Sequence, residues 1–482
     1  MEHLYEKLLQ NARGDMYPYH MPGHKRHGWG ELPEELYRID ITEIEGFDNL
    51  HQPEGILQTL QKAASEIYGA EETYYLVNGS TCGILSAVSC ALPFAGHILM
   101  ARNCHKSAYY AAYLRHLKIS YLYPQLLKEY GILEGITPAK VQEAMEREPD
   151  IGAVLVVSPT YEGRISDVAG IARVVHGKGI PLIVDEAHGA HLGLAEGFPQ
   201  NSCQAGADLV IHSVHKTLPA LTQTALLHVN GERIDRERLR RFLRIYQTSS
   251  PSYPLMASID NALQYAALEG REAFKRFRLR YQKMLEALAG CSVLRFLPPE
   301  EAQDVGKLLI GVGEAGITGR QLYQILLDRY HLQTEMAAGQ FVLAMFTVND
   351  TQEAYERMTA ALVEIDAGLA AGQVADKRRI EAPACRDEVQ WELAQESLAL
   401  DQAWEMETEY VTLQAGEGRY AGEFINLYPP GIPVAVPGEC LDGKTCHYIL
   451  QCVRQGLTVQ GIHIEESSDA LERRITFKVL KL

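Results

Sequence analysis

The chain has 482 residues, 46% hydrophobic and 22% charged, with a formal net charge of −17. These proportions exclude disordered and fibrous classes, the length predicts roughly two to four domains, and the acidic balance argues against a nucleic-acid partner. Nine cysteines, scattered singly with no CxxC pair, predict reduced thiols and no disulfide scaffold. The N-terminal Met1-Glu-His-Leu-Tyr-Glu-Lys lacks a basic region followed by an apolar run, and no stretch is long and apolar enough to span a bilayer, so a cytoplasmic protein is expected.

Residues 1–55 read as an N-terminal segment. From 56 to 290 the pattern is that of a large α/β domain. Thr73 to Val77, His97 to Ala101, Ile119 to Leu122, Ala153 to Ser158, Pro181 to Asp185 and Asp208 to His212 are short apolar runs without clean alternation. Such runs suit strands buried on both faces. Helical patterns lie between them: Thr137-Pro138 caps and opens one, and Asp167 caps another that closes at Gly177 and Gly179. A mostly parallel sheet flanked by helices follows. A long helical pattern from Leu255 to about Ala289, interrupted near Gly270, leads into residues 291–370, where strands and helices predict a small α+β domain. Residues 371–388 read as a linker, and 389–482 as a C-terminal α+β domain with the Pro-rich Tyr428-Pro-Pro-Gly-Ile-Pro433.

In an open α/β sheet, ligands bind at the carboxyl ends of the strands. Lys216 in Ser213-Val-His-Lys-Thr217 stands just past one such end, the setting of a Schiff-base lysine; most lysines after a strand are solvated, so its neighbours decide. Asn78-Gly-Ser-Thr81 ends a strand and opens a helix, where free amides and the hydroxyls of Ser80 and Thr81 suit a phosphate, or a plain capped turn. His105 could face a planar ring or merely cap a helix. Asp185 ends an apolar strand, where a buried carboxylate wants a cation; a protonated pyridine nitrogen would be one. His188 follows three residues later.

Two motifs point elsewhere. Asp185-Glu-Ala-His188 spells the DEAH box of helicases, and Gly438-Glu-Cys-Leu-Asp-Gly-Lys-Thr445 matches the phosphate-loop pattern GxxxxGK[ST]. The second match follows a run of prolines near the end of the chain and comes after the DEAH stretch, against the usual order. The remote reading as a P-loop ATPase is therefore set aside, and Asp442 to Thr445 is expected to start a capped surface helix.

Taken together these residues resemble the Orn/Lys/Arg decarboxylases, in the short form without an N-terminal wing. The resemblance runs through His20-Met-Pro-Gly-His-Lys25, Asp40-Ile-Thr-Glu-Ile-Glu-Gly-Phe-Asp-Asn-Leu50, Asn78-Gly-Ser-Thr81, Asp185 to His191, Ser213 to Thr217, Thr248-Ser-Ser-Pro-Ser-Tyr253, Tyr428 to Pro433 and Pro437-Gly-Glu439. It implies a fold of the aspartate aminotransferase type, pyridoxal 5'-phosphate as cofactor and no catalytic metal. It also implies that Lys216 carries the cofactor, Asp185 pairs with its ring nitrogen, His105 stacks on the ring and His188 sits near its substituents. Ser80, Thr81, Ser213 and His215 would hold the phosphate, helped by a hydroxyl of the 248–252 stretch from a partner subunit, since the resemblance implies a homodimer or larger. The implied reaction is decarboxylation of a basic amino acid, with His105 or Lys216 as proton donor at Cα. Arginine, giving agmatine for polyamine synthesis, is the preferred substrate; lysine, ornithine or a transamination remain alternatives. Glu43, Glu45 and Asp48 are candidates for the substrate's basic end, or loop and helix-cap acids.

Overall fold

A computed structural model describes residues 2–14, 16–27, 30–298, 303–313, 315–373, 397–428, 431–465 and 474–482. Contacts divide the chain into two units: Met1–Pro93, Thr137–Pro159 and Asp167–Arg276 form the first, and Phe94–Ile136, Thr160–Ser166 and Phe277–Leu482 the second. Seven strands lie along the first half of the chain: β1 (Glu72–Leu76), β2 (His97–Ala101), β3 (Lys118–Leu122), β4 (Ala153–Val157), β5 (Leu182–Asp185), β6 (Leu209–His212) and β7 (Ala225–Val229).

Within the first unit, β4, β5 and β6 pair in parallel, while β7 is antiparallel to both β6 and β1. Tyr75 and His212 both stand opposite Leu226 of β7, so the carboxyl ends of β1 and β6 fall on one edge. The apolar residues of β5 and β6 are wholly buried, as expected for strands covered on both faces. The helix Gly79–Ala91 packs on this sheet through Gly83, where a Cβ would lie 2.7 Å from Leu76 Cδ1 and 3.0 Å from Ile211 Cγ2. Only glycine permits that approach, which sets the helix start bearing Ser80 and Thr81 close to the strand ends. The expected caps form: Thr137 accepts from the amide of Lys140, and Asp167 from that of Gly170.

The second unit contains the parallel pair β2 and β3, and after β2 the helix Lys106–Leu114. Its smaller sheet has the order β8-β9-β11-β10, from β8 (Arg295–Phe296), β9 (Lys307–Gly311), β10 (Met336–Ala337) and β11 (Phe341–Met345), all antiparallel. The helices Gly319–Tyr330 and Gln352–Ala370 belong with it, the first opened by a full capping box between Thr318 and Gln321. Further on come β12 (Thr408–Thr412), β13 (Ile425–Leu427), β14 (Ile432–Ala435), β15 (Val459–Gln460), β16 (Ile462–Glu465) and β17 (Arg474–Leu480), in the sheets β12-β17-β16 and β14-β13-β15. They share a core with the helix Gly443–Arg454 around Phe477, Val479, Ile449 and Cys452.

Each predicted strand run forms within a residue of its expected ends. Two elements are additional: β7, whose reversal makes the sheet mixed at that side, and a small hairpin of Leu126–Leu127 with Ile132–Leu133. The long helical pattern does divide at Gly270, into Tyr253–Leu268 and Gly270–Leu288. The linker read at 371–388 lies outside the described residues from 374 onward, and the preceding helix runs on to Ala370. The phosphate-loop look-alike opens a helix capped by Asp442, whose carboxylate accepts from the amide of Thr445 at 2.7 Å. A Cβ on Gly443 would lie 2.6 Å from a Glu417 carboxylate oxygen, an acidic neighbour unsuited to a phosphate. No helix among the described residues is long and apolar enough to cross a membrane, and the described cysteines are all free thiols.

Candidate active site

The edge where β5 and β6 end gathers most of the predicted residues of the first unit. Asp185, the last residue of β5, is 5% exposed and accepts one backbone hydrogen bond, from the amide of Ala187 at 3.2 Å. Burial pushes its carboxyl up, and the Lys216 ammonium acts against that shift. Past β6, the single helical turn Val214–Thr217 brings Lys216 round so that its Nζ lies 3.1 Å from His188 Nε2. The amide of Ser213 donates to the Ala187 carbonyl at 3.3 Å, tying the two strand ends together.

Several groups here suit an anion. The hydroxyls of Ser213 and Thr217 are buried without a hydrogen-bond partner among the described residues, an arrangement that is costly unless a ligand completes it. Gly79, at φ +70°, opens the helix that bears Ser80 and Thr81; its own amide donates to the Gln223 carbonyl at 2.9 Å, and the Asn78 side chain does not cap the helix, which leaves the next first-turn amides to a ligand. His215 is half-buried, its Nδ1 2.8 Å from the Thr224 carbonyl; burial lowers its pKa, keeping the ring neutral at pH 7 with Nε2 to spare. A buried carboxylate, a lysine amine and unfilled hydroxyls with helix amides fit a phosphorylated cofactor with a cationic ring.

His105 belongs to the second unit. It caps the helix Lys106–Leu114, its Nδ1 lying 2.9 Å from Ser107 Oγ. Gly431 lies beside it: at its φ of +82° a Cβ would stand 3.6 Å from Cδ2 and Nε2 of the His105 ring. That is ordinary van der Waals contact, and it is the left-handed φ that favours glycine here.

Local contacts choose between the readings of some other candidates. The Asp48 carboxylate accepts from the amides of Gly55 and Leu57, both at 2.8 Å, and so serves as a helix-cap acid. In the 248–252 stretch the Ser252 hydroxyl accepts from the amide of Leu255, capping the helix Tyr253–Leu268, and the backbone of Thr248 meets the side chains of Asn78 and His51. Glu43 keeps one buried carboxylate oxygen without a partner among the described residues, and Glu45 is exposed.

Two groups escaped sequence reasoning. Arg102, at the end of β2, makes a bidentate ion pair with Glu439, at 3.2 and 2.9 Å, and also donates to the carbonyls of Pro433 and Val434. Behind Asp185 lies a buried row of Glu186, His212 and His228. Burial pushes Glu186 up to about 8 and His212 down to about 3, and lowers His228 as well, so all three are neutral at pH 7. The unfolded chain therefore protonates both imidazoles below about pH 6.5 while the folded chain does not, and this part of the stability is lost as pH falls. Glu186 works oppositely, since its raised pKa binds a proton in the folded state between about pH 4.5 and 8. Two histidines against one carboxyl leave a net loss of about 1.4 kcal/mol per pH unit between about pH 6.5 and 4.5. Urea unfolding midpoints that stay level from pH 6.5 to 5 would contradict this.

A mostly parallel open sheet with a lysine after one strand end and a carboxylate ending its neighbour defines the large-domain class of pyridoxal-phosphate fold type I. The family model for Orn/Lys/Arg decarboxylase, major domain, matches residues 2–305, and that for the C-terminal domain matches 381–465; the chain belongs to this family. It is 32% identical over 473 residues to an arginine decarboxylase of Bacillus subtilis, covering 95% of each chain, and 30% identical over 476 residues to one of Bacillus anthracis, covering 95% and 94%. The lysine decarboxylase A structure from Pseudomonas aeruginosa superposes with a TM-score of 0.82 at 20% identity, over 99% of this chain and 80% of that one.

Proposed function

We propose that this protein decarboxylates arginine to agmatine and carbon dioxide with pyridoxal 5'-phosphate as cofactor. The observation that carries the reading is the junction of Lys216, His188 and buried Asp185 in a member of the Orn/Lys/Arg decarboxylase family. The names of the full-length relatives favour arginine over lysine and ornithine.

When bound, the cofactor supplies an electron-withdrawing ring that takes up the electron pair of the breaking bond between Cα and the carboxylate. Asp185 would hold the proton on the ring nitrogen, and its burial makes that ion pair strong. Ser213, Ser80, Thr81 and His215, with the amides of residues 80 and 81, would grip the phosphate, fixing the ring relative to Lys216. Lys216 is the covalent attachment point, and its amine can then move a proton at the substrate's Cα; His188, at 3.1 Å, orients that amine. The family resemblance gives His105 the face of the ring and makes it the other candidate donor. Excluding water from the departing carboxylate favours its loss, because the negative charge disperses as the bond breaks. Glu43 is the best candidate in the acidic stretch for the guanidinium, since its carboxylate retains an unpartnered buried oxygen.

The same reading makes the enzyme a cytoplasmic homodimer in polyamine metabolism. Met16, Tyr17, Tyr19 and Met21 are all strongly exposed, an apolar stretch that a second copy would cover. Incubation with arginine, lysine and ornithine separately, with carbon dioxide and amine measured, tests the function. Release from arginine is expected to exceed the others at least tenfold, as about 1.4 kcal/mol of discrimination provides. Preference for lysine or ornithine would move the substrate assignment, and no release from any of the three would overturn the reading.

A further inference from the structure

The end of β5 carries two consecutive carboxylates, Asp185 and Glu186, and the proposed reaction uses only Asp185. Glu186 is 1% exposed and lies at one end of a continuous row of hydrogen bonds. Its Oε2 accepts from the amide of Ser202 at 2.9 Å and from the Ser202 hydroxyl, and its Oε1 lies 2.9 Å from His212 Nε2. His212 Nδ1 is 3.0 Å from His228 Nε2, and His228 Nδ1 is 2.8 Å from Thr73 Oγ1. The row crosses from the end of β6 through β7 to β1, with the Tyr68 ring 4.7 Å from each imidazole. Thr73 in turn lines a cavity of about 620 Å³.

Donors and acceptors match along this row in two ways. With Glu186 protonated, Oε1–H donates to His212 Nε2, His212 Nδ1–H donates to His228 Nε2, and His228 Nδ1–H donates to Thr73. With Glu186 ionised, each proton steps along: His212 Nε2–H donates to the carboxylate, His228 Nε2–H to His212 Nδ1, and the Thr73 hydroxyl to His228 Nδ1. The two states differ by one proton, released at the Thr73 end, and neither places a charge on an imidazole. A buried network has reason to persist only when every member is satisfied, and this one is satisfied in both states.

We propose that Glu186 is a positioning residue: it exchanges a proton with the cavity through His212, His228 and Thr73, and its charge sets how firmly Asp185 holds the cofactor's ring proton. The proposal rests on the functional reading given above. An ionised Glu186 beside Asp185 raises that carboxyl's affinity for protons, so the ring proton is held more tightly when Glu186 loses its own. Burial puts the Glu186 change near pH 8. The other titratable groups facing it are His191, Tyr68 and Cys203; burial raises the latter two, which keeps them uncharged there.

Infrared difference spectra of the holoenzyme from pH 6 to 10, recorded alongside its visible absorbance, test this. The wild type is expected to lose a buried protonated-carboxyl band with a midpoint near pH 8, and the cofactor's absorbance should shift with the same midpoint. In Glu186→Gln, which retains the shape and can still donate to His212, both changes should vanish while cofactor content stays the same. Ser202→Ala, which keeps Glu186 but removes a donor to its carboxylate, should raise the midpoint by about one pH unit. Titration in Glu186→Gln like that of the wild type, or an unmoved midpoint in Ser202→Ala, overturns the proposal. A protein with the infrared titration but no bound cofactor overturns the functional reading and with it the role toward Asp185. A loaded enzyme whose ring absorbance ignores the infrared midpoint overturns that role alone.

Discussion

Lys216→Ala is expected to lower arginine decarboxylation by at least about 10³-fold, because it removes both the covalent attachment point and a proton carrier from one place. The Nζ of Lys216 contacts His188 at 3.1 Å and is the cation that counters the burial of Asp185. The variant should fold, since Lys216 is half-buried on a single helical turn whose backbone bonds do not involve the side chain. Absorbance and mass spectra of the purified protein should show the covalently held cofactor in the wild type and its absence in the variant, with the unfolding temperature little changed. Retention of more than a tenth of the activity would mean that another amine does this work.

Glu439→Ala should destabilise the protein by about 3–5 kcal/mol, the range for removing one partner of a buried ion pair. The Arg102 and Glu439 side chains are 4% and 10% exposed, so truncation strands a guanidinium away from water. The Glu439 carboxylate also accepts from the amide of Val436 at 2.9 Å, and Arg102 holds the carbonyls of Pro433 and Val434, so one pair fixes the chain from Pro433 to Glu439. Gly431, two residues before Pro433, lies beside His105, and a loss of activity larger than the loss of folded protein is expected for this reason. Urea unfolding and turnover per folded molecule separate the two effects. A change in stability below about 1 kcal/mol would show that the pair behaves like an exposed one.

The strands of the large α/β region were legible because burial on both faces leaves a plain chemical mark: Ala153 to Val157, Leu182 to Val184 and Leu209 to Ile211 are runs of apolar residues with nothing to alternate against. Residues standing just past such runs, Asp185, Ser213 and Lys216 among them, could be named for the same reason. Strand β7 was not separated from its surroundings, because Ala225–Val229 is apolar too and its reversed direction depends only on the tight return after Lys216. Asp48 could be read as a substrate carboxylate until its two amide partners were known. The pairing of Arg102 with Glu439 spans more than three hundred residues, and no local pattern announces so distant a partner.

The sequence alone therefore determined the chemistry on offer: a lysine, a strand-end carboxylate, hydroxyls by a helix start, and motifs of the Orn/Lys/Arg decarboxylases in order. These are properties of residue type and short-range spacing, which backbone geometry converts directly into position. Only the tertiary structure decided which groups are used up and which remain open. It spent Asp48 and Ser252 on caps, left the Ser213 and Thr217 hydroxyls unfilled, and buried Glu186 against two histidines where a proton can move. Burial and hydrogen-bond partners are contributed by distant parts of the chain, and it is they that set which carboxyl is charged.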